Sequence, residues 1–288
     1  MAQVARQIKQ TILSMMPSAM RDNWLRDHAN WRKAAPPQAQ FVFDHYLGDV
    51  RVNIDTRYKV ERIMWTGSYE TALQRWMQAN VKPGWVCIDV GANVGAIALG
   101  MAKCVGANGR VIAIEPGKKN LQRMQANLAL NAALSPRVTV VEGGVSDAPG
   151  KLNWVEETEN PGNAMLELSP LYKKQAGDHR HSVRVELLDD VLAQRGAITP
   201  AFIKIDVEGM EINVLRGAIK TLAASKPALY FETLARYSKG DEGGNLEAIA
   251  QLLREFGYTF YRVDGHGLAT QFSPPNWPDY TLAVATTV

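Results

Sequence analysis

Residues 86–115, VCIDVGANVGAIALGMAKCVGANGRVIAIE, decide the fold. Residues 86–90 are a short apolar run bounded by turn signals, the pattern of a strand buried in a parallel sheet. Asp89 interrupts that run near its C-terminal end, and Gly91-Ala92-Asn93-Val94-Gly95 turns the chain. Val94, Ile97, Ala98 and Met101 then recur at helical spacing. After Gly109 a second apolar run, 110–114, closes on Glu115 and Pro116. The stretch reads as strand, glycine turn, helix and strand, half of a nucleotide-binding unit. In such a unit the glycines admit close backbone approach to a ligand. The terminal carboxylate can accept hydrogen bonds from ribose hydroxyls.

The glycine spacing separates the ligands. A dinucleotide fingerprint needs Gly-x-Gly-x-x-Gly, so that backbone amides hold a pyrophosphate. Here the order is Asp-x-Gly-x-x-x-Gly, from Asp89 to Gly95. A carboxylate beside a pyrophosphate repels it, whereas it suits the ammonium and sulfonium of S-adenosyl-L-methionine. A βαβ unit with no ligand would leave Asp89 and Glu115 unexplained at two strand ends.

Length and composition bound the rest. A chain of 288 residues with 46% apolar content accommodates one main α/β domain with an extension. Its formal charge of +3 is too small and too dispersed for a nucleic-acid partner. No apolar run approaches the ~20 residues of a membrane span, so no integral membrane segment is expected. Cys87 and Cys104, in the first strand and its helix, read as reduced core residues of a cytoplasmic protein.

Along the chain, Val4, Ile8, Ile12 and Met16 repeat at helical spacing. Residues 1–60 are therefore expected to form a helical N-terminal extension and a β-rich lead-in, whose helices offer a surface for a homodimer. The main domain would occupy residues 61–288. Gly67-Ser68-Tyr69-Glu70 has the form of a capped helix start. Past Glu115 come a helix over 118–131 and a strand over 137–141, followed by Glu142-Gly143-Gly144-Val145-Ser146-Asp147. An adenine is expected there, since ligands lie outside the carboxyl ends of strands, and Ser146 and Asp147 could meet its exocyclic amine. An insertion over about 151–187 carries flanking strands and a polar middle with Asn160, Asn163, Tyr172 and His179-Arg180-His181. It reads as a β-containing lid over the substrate.

The next strand, 201–206, exits through Lys204-Ile205-Asp206-Val207-Glu208-Gly209-Met210-Glu211. One helix is expected after it, with Ile212, Leu215, Ile219 and Leu222 on one face. Buried acids at such an exit are costly unless they bind something. Residues 227–231 repeat the design and end in Glu232, and strands over 258–263 and 280–286 complete the count. The expected fold is α/β: a seven-stranded, doubly wound, mostly parallel sheet of Rossmann-like form.

Four stretches together resemble the FkbM-type S-adenosylmethionine-dependent methyltransferases. They are Gly67-Ser68-Tyr69-Glu70, Asp89 to Gly95, Glu115-Pro116 with Asn120 and Asn127-Leu128-Ala129-Leu130-Asn131, and Lys204 to Glu211 with Val214-Leu215-Arg216-Gly217-Ala218. The resemblance implies a class I methyltransferase fold and methyl transfer to a hydroxyl of a small molecule such as a sugar or secondary metabolite. It implies cofactor contacts at Tyr69, Glu70, Asp89, Gly91, Ala92, Asn93, Gly95, Glu115, Pro116, Asn120, Val145, Ser146 and Asp206. An alcohol acceptor must lose its proton as the bond forms. By strand position Asp206, Glu208 and Glu232 are the carboxylates available for catalysis, as base or as holders of a divalent cation. Two rivals use the same fold, an N-methyltransferase and a non-catalytic adenosylmethionine-binding protein. The first would show an Asn/Asp-Pro-Pro-aromatic turn where this chain has Asp206-Val207-Glu208-Gly209, and Pro274-Pro275-Asn276-Trp277 lies elsewhere. The second sits poorly with an intact cofactor loop beside three carboxylates.

Overall fold

The computed structural model describes residues 40–156, 164–169, 179–196, 198–233 and 243–285. The expected N-terminal helices with their dimer surface, and Asn160, Asn163 and Tyr172 of the insertion, lie outside the described residues. In chain order the first half comprises β1 (Gln40–Tyr46), β2 (Val50–Asp55), α1 (Lys59–Trp65), α2 (Thr71–Asn80), β3 (Val86–Val90), α3 (Ala96–Cys104), β4 (Arg110–Glu115), α4 (Lys118–Ala129) and β5 (Val138–Glu142). β6 (Gly144–Val145) precedes the insertion, which holds β7 (Gly150–Glu156), β8 (Ala164–Leu166) and β9 (His179–Glu186). There follow α5 (Leu188–Ala193), β10 (Phe202–Ile205), α6 (Glu211–Arg216), α7 (Ile219–Ser225) and β11 (Ala228–Glu232). The last elements are α8 (Gly243–Glu255), β12 (Tyr258–Val263), β13 (Ala269–Phe272) and β14 (Tyr280–Ala285).

The main sheet runs β13-β12-β14-β11-β10-β3-β4-β5. Strands β11, β10, β3, β4 and β5 are parallel, and β14 inserts antiparallel between β11 and β12. The sheet thus has eight strands where seven are expected. The additional one, β13, is a short edge strand with mostly exposed side chains, too weakly apolar to register as a strand. Alternation places Cys87, Val111, Phe202 and Tyr230 in one core with α2, α3 and α4. Ile88, Ile112, Ile203 and Phe231 fill the other with α5 to α8. Both faces of the central strands are covered, hence their near-continuous apolar sequence.

The single helix expected after residue 210 is two. The apolar spacing of Ile212, Leu215, Ile219 and Leu222 continues through the junction, but the chain breaks at Gly217-Ala218. A Cβ on Gly217 would lie 2.2 Å from the Ser146 carbonyl oxygen, and the Gly217 carbonyl accepts the Asp189 amide at 3.0 Å. The helix over 118–131 ends at Ala129, and one 3-10 turn, Ser135–Arg137, precedes β5. Among the described residues no helix is long and apolar enough to cross a membrane.

The β1–β2 hairpin is fastened to α4 by side chains that imitate a neighbouring strand. Asn127 Oδ1 accepts the Asn53 amide at 2.8 Å, and its Nδ2 donates to the Val94 carbonyl at 2.9 Å. Asn131 both accepts from the Arg51 amide and donates to the Arg51 carbonyl. The family-like Asn-x-x-x-Asn spacing is therefore explained by docking, one helical turn apart on one face. Asn127 is 1% exposed, so Asn127→Ala strands the half-buried Asn53 N–H and the buried Val94 C=O. The expected loss is about 3 kcal/mol of unfolding free energy, read by denaturant titration. A loss under about 0.5 kcal/mol would remove the hairpin clasp from the account.

Candidate active site

Three strand ends meet at the cleft. Because β10 pairs with β3 in register, Lys204 lies opposite Asp89, both on the face covered by α2 and α3. The Lys204 ammonium stands 3.2 Å from Asp206 Oδ2 and 3.5 Å from Asp89 Oδ1, and it donates to the Gly91 carbonyl at 3.2 Å. Neither Asp89 oxygen has a partner in hydrogen-bond geometry, although the residue is wholly buried. Burial pushes the Asp89 carboxyl up from its ordinary value and Lys204 opposes this. Burial works against the Lys204 ammonium too, but Asp206, Asp89 and Glu70 together hold its pKa above the usual lysine value. Lys204 is thus the cation that lets two acids share the strand ends.

The glycines of the turn serve this packing. A Cβ on Gly91 would fall 1.9 Å from the Asp206 carbonyl oxygen, and one on Gly95 2.6 Å from Met124 Cγ. Both have positive φ, as does Asn93, which lets the chain reverse between β3 and α3. What approaches these glycines closely is neighbouring protein, where the spacing alone points to a ligand.

The second strand ends in a prepared acceptor. Glu115 Oε2 accepts the Asn93 amide at 2.8 Å, and Oε1 accepts the Gly117 amide at 2.8 Å and Asn120 Nδ2 at 3.2 Å. Burial raises its carboxyl to about 6 against those three donors. The carboxylate is held rigidly, with one lone-pair site, on Oε2, left for a ribose hydroxyl.

A cleft opens over these groups. Of the sequence-predicted residues it is lined by Tyr69, Gly91, Asn93, Glu115, Pro116, Asn120, Val145, Asp206 and Glu208. Glu70, Asp89, Ala92, Gly95, Ser146 and Glu232 are buried or half-buried outside that lining. Ser146 bonds Asp147, whose other oxygen accepts from Asn213 of α6 at 3.0 Å. His179 is exposed on β9, and neither it nor His181 lines the cleft. Trp154, Met165 and Leu166 of the insertion do line it. Alternation within a strand shows which face a residue takes, but not that this small sheet folds over the cleft.

A second set of acids gathers on the Asp206 side. Glu211 Oε1 accepts the Val207 and Gly209 amides, and burial lifts its carboxyl to about 7. Glu232 is 7% exposed with Oε2 unpartnered. Burial raises its pKa well above the ordinary glutamate range, and Asp206, Glu208 and Glu211 add to the shift. Burial and Asp206 bring Glu70 to about 7, opposed by Lys204 and a hydrogen bond from Tyr280. Among the described residues, Glu70, Asn93 and Glu208 are three of the five non-glycine residues with positive φ, so backbone strain concentrates here. Among the described residues no three His, Cys, Asp or Glu side chains are placed to hold a metal ion.

The groups present fit an adenosyl ligand. Glu115 offers an acceptor for a ribose hydroxyl, the lack of a Cβ at Gly117 leaves its carboxylate uncrowded, and the acids near Asp206 suit a cationic centre. A pyrophosphate would meet carboxylates and a lysine already committed to them.

Residues 89–260 match the sequence profile of the methyltransferase FkbM domain. Methyltransferase sdnD of Sordaria araneosa is 32% identical over 163 residues, covering 48% of this chain and 62% of that protein. The AMB antimetabolite synthetase AmbE of Pseudomonas aeruginosa is 27% identical over 207 residues, covering 61% of this chain and 10% of that protein. The matched region is therefore less than two thirds of either relative's length. A solved structure of methyltransferase FkbM from Methylobacillus flagellatus KT aligns over 80% of this chain and 56% of its own, at 19% identity and a TM-score of 0.48.

The buried triad yields a direct test. Lys204→Met leaves two carboxylates without their cation and is expected to cost about 3–5 kcal/mol of unfolding free energy. Adding Asp89→Asn to the same chain should recover part of that loss. Strictly additive losses in denaturant titration would show that the two residues do not act on each other.

Proposed function

Since the chain belongs to the methyltransferase FkbM family, we propose that it methylates a hydroxyl group of a small, uncharged or cationic acceptor such as a sugar or secondary metabolite. It is an S-adenosyl-L-methionine-dependent methyltransferase; the acceptor and the atom methylated are the proposal. When bound, the cofactor supplies an electrophilic methyl on a positively charged sulfur. The protein's part is to grip the nucleoside through Glu115 and Asn120, place the acceptor, exclude water and take up a proton.

The observation that carries the reading is Glu232, a buried carboxyl with one unpartnered oxygen, beside the acids that border the cleft. A carboxylate whose proton affinity is raised this way is a stronger base than an exposed one. That strength matters for an alcohol. The same wall of carboxylates repels phosphate or carboxylate acceptors, which favours neutral hydroxyl compounds. The two relatives, a methyltransferase and an antimetabolite synthetase, support a secondary-metabolite acceptor.

The pH dependence follows with its sign. A base with a raised pKa is protonated, and idle, at low pH, so kcat/KM should rise with pH to a midpoint well above the ordinary carboxylate range. Glu232→Gln should lower kcat by about 10²–10⁴-fold and abolish that rising limb. A limb that survives unchanged in Glu232→Gln would assign the base elsewhere. Asp206→Asn, read by product formation and thermal melting, should abolish turnover while the fold persists. Unaltered product formation would remove Asp206 from the mechanism.

A further inference from the structure

The inserted sheet does not stand apart from the cleft. β7 pairs antiparallel with both β8 and β9, placing Trp154 opposite Leu166 and His181. Trp154 packs with Leu166, Val183 and Met210, so the small sheet is anchored to the loop that follows Asp206. Trp154 lines the cleft and is 8% exposed, yet its indole Nε1 has no hydrogen-bond partner. An indole N–H is a donor only, and a buried donor without an acceptor is costly unless something supplies one.

Trp154 Nε1 comes close to Glu115 beside Gly117. The ideal Cβ position of Gly117 is 2.8 Å from Glu115 Oε1, 3.3 Å from Trp154 Nε1 and 3.4 Å from Asn120 Nδ2, so any side chain there would crowd these groups. An acceptor-only carboxylate and a donor-only indole therefore lie close together on one wall of the cleft. A hydroxyl matches that pair, because it donates to one and accepts from the other. A carboxylate or phosphate ligand would satisfy the indole but repel Glu115.

We propose that the Trp154 indole N–H donates a hydrogen bond to a ribose hydroxyl of the bound adenosyl ligand, so that the inserted sheet is a wall of the cofactor cleft. This rests on the adenosylmethionine reading of the site. It changes the insertion's role, from a cover over the acceptor to a part of the nucleoside grip. It also explains why a tryptophan sits on the buried face of a strand whose first residues are exposed.

The test is calorimetry of the full chain with S-adenosylhomocysteine and with its 2′-deoxy and 3′-deoxy analogues. Trp154→Phe keeps an aromatic ring, deletes the donor and removes part of the ring's volume, so a modest fall in melting temperature accompanies it. It should bind S-adenosylhomocysteine about tenfold more weakly than wild type. Wild type should discriminate against one deoxy analogue, and Trp154→Phe should lose most of that discrimination. Equal affinity for S-adenosylhomocysteine in the two proteins overturns the proposal while leaving the cofactor site intact. A wild-type protein that binds none of the three overturns the site itself. Should Trp154→Phe fail to fold, a crystal structure of the wild-type complex decides. Nε1 about 2.7–3.2 Å from a ribose oxygen supports the assignment, and any other partner contradicts it.

Discussion

Lys204 and Asp89 face each other across β10 and β3 in a part of the sheet that water does not reach. Bringing a lysine ammonium there costs several kcal/mol of hydration, and a single carboxylate seldom offsets it. Here Asp89, Asp206 and the Gly91 carbonyl share the ammonium. The arrangement ties the exits of two strands together. It fixes where Asp206 leaves β10, and it demands a residue without Cβ at position 91. The turn into α3, the amide of Asn93 and hence the orientation of Glu115 follow from that closure.

The same cation sets the electrostatics of the cleft. It balances part of the charge of Asp89 and Asp206, so those groups can be buried, but it leaves the Asp206 side of the cleft acidic. Glu211 and Glu232, each raised by burial and by Asp206, share this excess of negative charge. A ligand bringing positive charge lowers the cost of ionising them. One bringing a phosphate raises it. The site therefore favours positive charge before any contact specific to the ligand is made, and the proposed base, Glu232, belongs to the same acidic group.

Much of this was legible in residue order. Asp89, Glu115 and Asp206 stand where apolar runs end, and strand ends in an open α/β sheet converge on one crevice. Pairing of β10 with β3 brings Asp206 beside the end of the first strand. Other features depended on contacts distant in sequence. The role of Lys204 needed register, not pattern. The break between α6 and α7 hid behind a continuous apolar spacing, since Ser146 and Asp189 force it from outside. β13 carried no apolar signal, and Trp154 looked like any buried strand residue until the inserted sheet was seen to fold against Gly117.

The claim beneath all of this is that one adenosyl ligand is held where the ends of β3, β4 and β10 converge. Hydrogen–deuterium exchange of the full chain with and without S-adenosylhomocysteine tests it most directly. The account predicts ligand-dependent protection confined to residues 91–96, 115–120, 143–146, 152–155 and 206–211, with the β1–β2 hairpin and β13 unchanged. Protection centred elsewhere, or none at saturating ligand, would contradict it.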